Sequence, residues 1–258
     1  MLSMIMLVEV LNPVINNMTE FALETVSETT VGDYEIICHV HGDADLELSK
    51  QFDNVRILRT NRQLSIAEGY NKAAKLATGE LLCVLHNDIF ISQHGWNFLL
   101  EYVARSRNIA FPMVNEEVGD CELRGVVKTE PWQTSSCCYM LHKTVWDKLG
   151  GLDEQFKGMH GEDIDFFRRC EQAGHRLIRC DPKVMHLRGV SRSFVPDRAN
   201  KPFFDNWRKY VEKHNITPGE PHLPRLTETP EIVLEHVGGI VALNNYIQNH
   251  VGKGVGHD

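Results

Sequence analysis

Apolar and polar residues fall in blocks along the first hundred positions, in the order strand, helix, strand, strand, helix, strand. Met4–Val10 is a short apolar run that predicts a first buried strand. Asn17–Glu28 carries apolar positions at helical spacing, with Asn17 or Thr19 as its cap. Tyr34–Val40 predicts a second strand, closed by the turn cluster His41-Gly42-Asp43-Ala44-Asp45, and Val55–Arg59 a third. Ser65–Ala77 places Ile66, Tyr70, Ala73, Ala74 and Ala77 on one side of a helix that Gly79 closes. Leu81–Leu85 is continuously apolar, as a strand covered on both faces must be, and stops abruptly at His86-Asn87-Asp88.

Such β-α-β alternation implies an open, mostly parallel sheet whose ligands bind beyond the carboxyl ends of the strands. The clusters His41–Asp45 and His86–Asp88 both follow strands directly, so they are expected to line one crevice. Further along, the pattern predicts a helix near Gly95–Ser106, a strand at Ile109–Val114 and a polar, irregular stretch over Asn115–Trp132. Ser136–Leu141 is apolar again, Lys143–Leu149 is a short helix and Ile164–Ala173 a longer one. Arg176–Cys180 and Lys183–His186 read as two strand pieces, and Phe203–His214 as a helix with Trp207 and Tyr210 packed on one side. Arg188–Lys201 is basic and aperiodic, a candidate mobile loop. A proline-containing linker, Pro218–Pro230, precedes a last helix near Glu231–His250.

The chain has 258 residues, 42% apolar and 24% charged, enough for one large domain with an appendage. A formal charge of -8 argues against a nonspecific polyanion binder. Seven cysteines without a regular framework read as reduced thiols, which predicts a cytoplasmic protein. The apolar N-terminal run lacks a basic flank and is too short to span a bilayer, so no stable membrane insertion is expected.

The chemistry concentrates in Gly150-Gly151-Leu152-Asp153-Glu154 and Gly161-Glu162-Asp163-Ile164-Asp165, where a glycine turn leads to a helix with three carboxylates in its first turn. A helix N-terminus favours negative charge, so these acids are expected to stay ionised and to point out of one end of the fold. Taken alone, the pattern also fits a capped helix with a solvated acidic turn. The block from Ser135 to Arg169, with Gly174 and His186 beyond it, resembles the acceptor-side region of GT-A glycosyltransferases, above all the inverting family 2. The resemblance covers roughly residues 1–215 and is strongest over 135–190.

That resemblance implies an α/β GT-A fold over residues 1–217, with 218–258 as linker and small helical extension through which a homodimer is conceivable. It implies transfer of a sugar from a nucleotide-diphosphate donor, UDP-sugars favoured, to an acceptor glycan or other hydroxyl-bearing molecule. Asp163 is then the general base and Glu162 its neighbour orienting the acceptor. Asp88 and His186 are expected to hold Mn²⁺ or Mg²⁺, Asp88 standing where the family carries an Asp-X-Asp motif. His86, Ser136 and Trp132 are candidates for contacting sugar; Asp43, Asp45, Asn71, Arg188 and Arg192 are candidates for the nucleotide and its diphosphate. Asp165 is given no role. The chain departs from the pattern at Val40, where the second strand usually ends in an acid, and at His86, where the metal motif has its first acid. Three alternatives stay open: a retaining GT-A transferase, a sugar nucleotidylyltransferase, and a non-catalytic module that binds sugar or nucleotide.

Overall fold

The computed structural model describes residues 1–9, 13–41, 52–114, 126–128, 135–187 and 202–216. Asp43, Asp45, Trp132, Arg188 and Arg192 lie outside the described residues, as do the basic stretch up to Lys201, the linker and the last helix expected after Pro218. The strands are β1 (Leu2–Glu9), β2 (Tyr34–His41), β3 (Val55–Thr60), β4 (Leu81–Leu85), β5 (Ile89–Phe90), β6 (Ile109–Val114), β7 (Val126–Lys128), β8 (Cys138–His142) and β9 (Leu177–His186). The helices are α1 (Pro13–Thr29), α2 (Ile66–Leu76), α3 (Asn97–Arg105), α4 (Lys143–Leu149), α5 (Glu162–Gln172) and α6 (Phe203–His214).

The strands form one sheet in the order β3-β2-β1-β4-β8-β6-β9-β5, with β7 also on β9. Its first four strands are mutually parallel, as the block pattern predicts. β8 then runs antiparallel between β4 and β6, and β9 returns parallel to β6. Alternation within the strands divides the core. Met4, Met6, Val8, Cys38 and Cys83 face α1 and α3, while Ile5, Ile37, Leu82 and Val84 face α2, α4 and α5. Helices on both faces explain why β4 is buried at every position.

Several local expectations shift by physical necessity. Helix α1 begins at Pro13, where the missing N–H costs nothing, so Asn17 and Thr19 are interior residues and not caps. Ser65 and Glu68 close a reciprocal capping box on α2: the Ser65 N–H donates to the Glu68 carboxylate at 2.9 Å, and the Glu68 N–H to the Ser65 hydroxyl at 3.2 Å. That helix ends at Ala77, while Gly79 lies against β1 and donates its N–H to Ser3 Oγ at 2.8 Å. The two strand pieces expected around Asp181-Pro182 are one strand, β9, with a register shift there that passes the prolyl residue without breaking the ladder to β6.

At the amino ends of the central strands, Glu35 ties three elements together. It accepts from Ser3 Oγ (2.7 Å), Thr78 N–H (2.8 Å) and Thr78 Oγ1 (2.6 Å), and pairs with Arg56 at 2.9 Å. Burial alone would raise its pKa; the hydrogen bonds, those of Thr78 foremost, overcome this and hold it at about 2. A carboxylate depressed in the folded state stabilises above its unfolded pKa and loses that contribution as pH falls. Glu35→Gln is therefore expected to cost on the order of 3 kcal/mol at pH 7. In urea titrations the gap to the wild type should close between pH 4.5 and about 2.

Candidate active site

The carboxyl end of β4 is the site's floor. After Leu85 the chain turns through His86-Asn87-Asp88, and three attachments fix that turn. The His86 N–H donates to the Cys137 carbonyl at 2.8 Å, the Leu187 N–H to the Asp88 carbonyl at 3.0 Å, and Asn87 Nδ2 to Thr19 Oγ1 at 3.0 Å. Ile89 pairs with His186 across the short β5–β9 ladder. That register sets His186 Nε2 3.2 Å from Asp88 Oδ1, with His86 Nδ1 3.8 Å from the same oxygen. The two imidazoles meet edge to face, centroids 5.4 Å apart. Among the described residues these three form a group able to hold a metal ion, each offering a ligand atom within 4.8 Å of the others. Asp88 and His186 meet as the sequence predicts, and His86, read from sequence as a sugar contact, stands with them.

The electrostatics of the group are uneven. Burial pushes His86 down to about 4 against the opposing pull of Asp88, so its imidazole is neutral at pH 7. Burial would lower His186 as well, but the adjacent Asp88 carboxylate reverses this and raises it to about 10. Asp88 is correspondingly held below its ordinary value despite burial, chiefly by His186.

Helix α5 brings the second acidic cluster to the same crevice. Its cap is Gly161 at φ +92°, and Glu162, Asp163 and Asp165 fill the first turn. The expectation that all three stay ionised and point outward needs correction. Glu162 is buried, and desolvation, then the charge of Asp163, pushes its carboxyl well above the usual range. Asp165 is fully buried and ion-paired: Arg169 Nε lies 2.8 Å away, Lys213 Nζ 2.6 Å and His214 Nε2 2.9 Å. Asp163 stays partly open, accepts the Ile164 N–H at 2.8 Å, and is close enough to His86 to raise that histidine's proton affinity. Tyr70, read from the sequence only as part of a helix's apolar side, lies between the clusters. Its hydroxyl donates to the Leu85 carbonyl at 2.9 Å, and burial, then Asp88 and Glu162, drives its pKa up.

Asn71, a sequence candidate for the nucleotide, is occupied differently. Its amide donates to the Leu152 carbonyl (2.8 Å) and to Glu154 Oε1 (3.0 Å), and its oxygen accepts the Leu152 N–H (2.9 Å). Both donors are spent, so the residue clamps the Gly150-Gly151 loop onto α2. Gly151, at φ +71°, has no room for a Cβ beside the Asn71 oxygen and the Trp146 ring. Ser136 sits half-buried in the turn before β8, next to the Cys137 carbonyl that holds His86. At the end of β2, His41 is buried with Nε2 unpartnered among the described residues, beside Gly69.

The model of glycosyl transferase family 2 matches residues 10–158, and that of the N-terminal domain of galactosyltransferase matches residues 126–191. The O-antigen biosynthesis protein RfbC of Myxococcus xanthus is 27% identical over 55% of this chain, which spans only 13% of that relative's length. Among solved structures, GalNAc-T7 with UDP, GalNAc and Mn²⁺ superposes with a TM-score of 0.63 at 12% identity, over 96% of this chain and 57% of its own. The Pyrobaculum calidifontis mannosyltransferase PcManGT with GDP-Man and Mn²⁺ gives 0.60 at 12% identity, over 94% of this chain and 80% of its own. S. aureus TarS gives 0.59 at 11% identity, over 96% and 72%. No described helix is long and apolar enough to cross a membrane. With the family model covering more than half its length and the sheet agreeing with GT-A structures, this chain belongs to glycosyl transferase family 2 and has the GT-A fold.

Proposed function

We propose that the protein transfers a sugar from a nucleotide-diphosphate donor, UDP-sugars favoured, to an acceptor hydroxyl with inversion, and that it requires a divalent cation. The observation that carries this reading is the convergence of His86, Asp88 and His186 with Asp163 at the carboxyl end of β4. Two structural relatives of this fold hold Mn²⁺ with a nucleotide or nucleotide sugar. Two imidazoles and one carboxylate suit Mn²⁺ better than Mg²⁺, which prefers all-oxygen ligation. A divalent ion held by these three residues would neutralise charge gathering on the departing diphosphate.

The protein's own groups divide the remaining work. Asp163 takes the proton of the acceptor hydroxyl as that oxygen attacks the anomeric carbon. Glu162, whose carboxyl is pushed upward by burial and by Asp163, orients the acceptor hydroxyls beside the base. Tyr70 stands buried between the two acidic clusters, its hydroxyl on the Leu85 carbonyl. Asn71 and Arg169 hold the Gly-Gly loop from its two sides, Arg169 donating to the Leu149 (2.9 Å) and Gly151 (2.8 Å) carbonyls.

Calorimetry against UDP, GDP, dTDP and CMP, each with and without Mn²⁺, tests the donor site. Tight binding of one nucleotide only with Mn²⁺ is expected; binding of none would move the chain to a non-catalytic module. Asp163→Asn should cut turnover by about 10²- to 10⁴-fold while leaving nucleotide affinity intact. Near-normal turnover in that variant would remove the base assignment. NMR of the product anomer separates inversion from retention.

The metal group makes its own prediction. An ion can bind His186 only after that imidazole loses the proton which Asp88 now retains up to about pH 10. Mn²⁺ affinity should therefore rise with pH from 6.5 towards 10, with about one proton released per ion in buffers of differing ionisation enthalpy. Asp88→Ala and His186→Ala should abolish the metal-dependent part of nucleotide binding, whereas Asn71→Ala should leave it unchanged.

A further inference from the structure

The segment that delivers Asp163 to the site cannot hold its own shape. Lys157-Gly158-Met159-His160-Gly161 contains three left-handed residues in four: Gly158 at φ +70°, His160 at +74° and Gly161 at +92°. Two are glycines, for which this costs little, but His160 has a Cβ and is strained there. Such a conformation persists only where surrounding groups over-determine it.

The Ile66 N–H donates to the Gly158 carbonyl at 3.1 Å, and one side chain outside the sheet binds four further backbone groups. Asn206 of α6 is 1% exposed. Its oxygen accepts the Lys157 N–H at 3.2 Å, and its amide donates to the carbonyls of Lys157 (2.7 Å), Met159 (3.0 Å) and His160 (2.9 Å). One buried amide thus collects four backbone groups of a five-residue turn. A Cβ added at Gly161 would meet the Phe156 ring at 2.9 Å, so only glycine fits where the turn passes that ring.

The same helix grips the far side of Asp163. His214 and Lys213, at its last turn, hold Asp165 at 2.9 Å and 2.6 Å. Between the two grips, Phe156, Tyr210 and Ile216 bury one another, with Ile164, Trp207 and Val211 against them. The helix therefore fastens the chain on both sides of Glu162 and Asp163, through residues 157–160 before them and 165 after them.

We infer that α6 is a brace for the proposed base, and that Asn206 is a positioning residue which sets the placement of Asp163 by fixing the left-handed turn before it. The inference rests on the assignment of Asp163 above. A base must lie within hydrogen-bond reach of the hydroxyl it deprotonates, so a shift of the turn reduces turnover before it reduces donor binding.

The test compares Asn206→Ala with Val211→Ala, which trims the packing of the same helix and touches none of the turn's hydrogen bonds. Hydrogen–deuterium exchange of peptides covering residues 157–165 is read beside Mn²⁺-dependent hydrolysis of UDP-glucose, UDP-galactose, UDP-GalNAc and GDP-mannose, in which water takes the sugar in place of the acceptor hydroxyl and nucleoside diphosphate is released. In Asn206→Ala, exchange across the turn should rise about tenfold or more. Its kcat should fall about 10²-fold, with the donor KM within about twofold of the wild type. Val211→Ala, compared at matched distance below its own Tm, should keep its kcat. Unchanged exchange in Asn206→Ala would overturn the inference, as would equal loss of kcat in both variants, which would mark general destabilisation. A wild type that is inert toward all four donors and binds none of the four nucleotides in calorimetry would overturn the transfer reading instead, and the exchange comparison would still decide whether Asn206 holds the turn.

Discussion

Two backbone pairs, Ile89 with His186 and Phe90 with Met185, are the constraint on which the site depends. They join residues about a hundred positions apart, in an antiparallel register at the mixed end of the sheet. Side chains in a strand alternate between faces, so a slip of one residue in this ladder would turn His186 away from Asp88. The ladder is too short to be stable alone. It is fastened from outside by the Leu187–Asp88 hydrogen bond, by Asn87 on Thr19, and by the His86–Cys137 bond that ties the same turn to β8. Scaffold strands β4, β8 and β9 therefore converge on one tripeptide, which is why its side chains can be held without a loop of their own.

The first turn of α5 shows how environment divides similar groups. Three acids share one helix terminus and one local dipole, yet only Asp163 keeps a partly open carboxylate. Glu162 is desolvated with no cation paired to it among the described residues, and Asp165 is desolvated against Arg169, Lys213 and the His214 ring. A helix dipole is worth roughly a kcal/mol or less at a surface, so burial and specific partners overrule it. Removing Asp165 from solvent carries a desolvation cost that Arg169, Lys213 and His214 offset only because all three converge on it. That convergence also tells α6 where to dock.

Much of this was legible in the chain itself. Leu81–Leu85 could only be a doubly covered strand, and the limits of α4, α6 and β6 follow from apolar spacing. The polar residues after β4 and at the start of α5 announce a crevice because strands and helices of this pattern must end there. What local sequence does not carry is pairing. Nothing near Cys138 says that β8 runs antiparallel between β4 and β6. Nothing near His86 reveals that its ring meets His186, since that follows from the β5–β9 register. Asn71 looks like a ligand contact because an asparagine on a buried helix face needs partners, and sequence cannot say that Leu152 and Glu154 supply them. Asp165 and Asn206 escape for the same reason: each satisfies its hydrogen bonds with groups about fifty positions away. The family resemblance pointed to the acids and said nothing of what braces them.

The metal group's composition bears on how such a site would be filled. With His86 neutral, the three residues present a single formal charge once His186 gives up its proton, against the two that a pair of acids would present. A divalent cation held only by this group keeps a net positive charge in a buried place, which is costly in a medium of low dielectric. Diphosphate oxygens would supply the missing negative charge and the remaining ligands together. Cation and donor would then each raise the affinity of the other by the same factor, since linkage is reciprocal. A histidine in place of a second acid would then make cation occupancy depend on the donor, so that the charge needed at the leaving group would accumulate only when a leaving group is present.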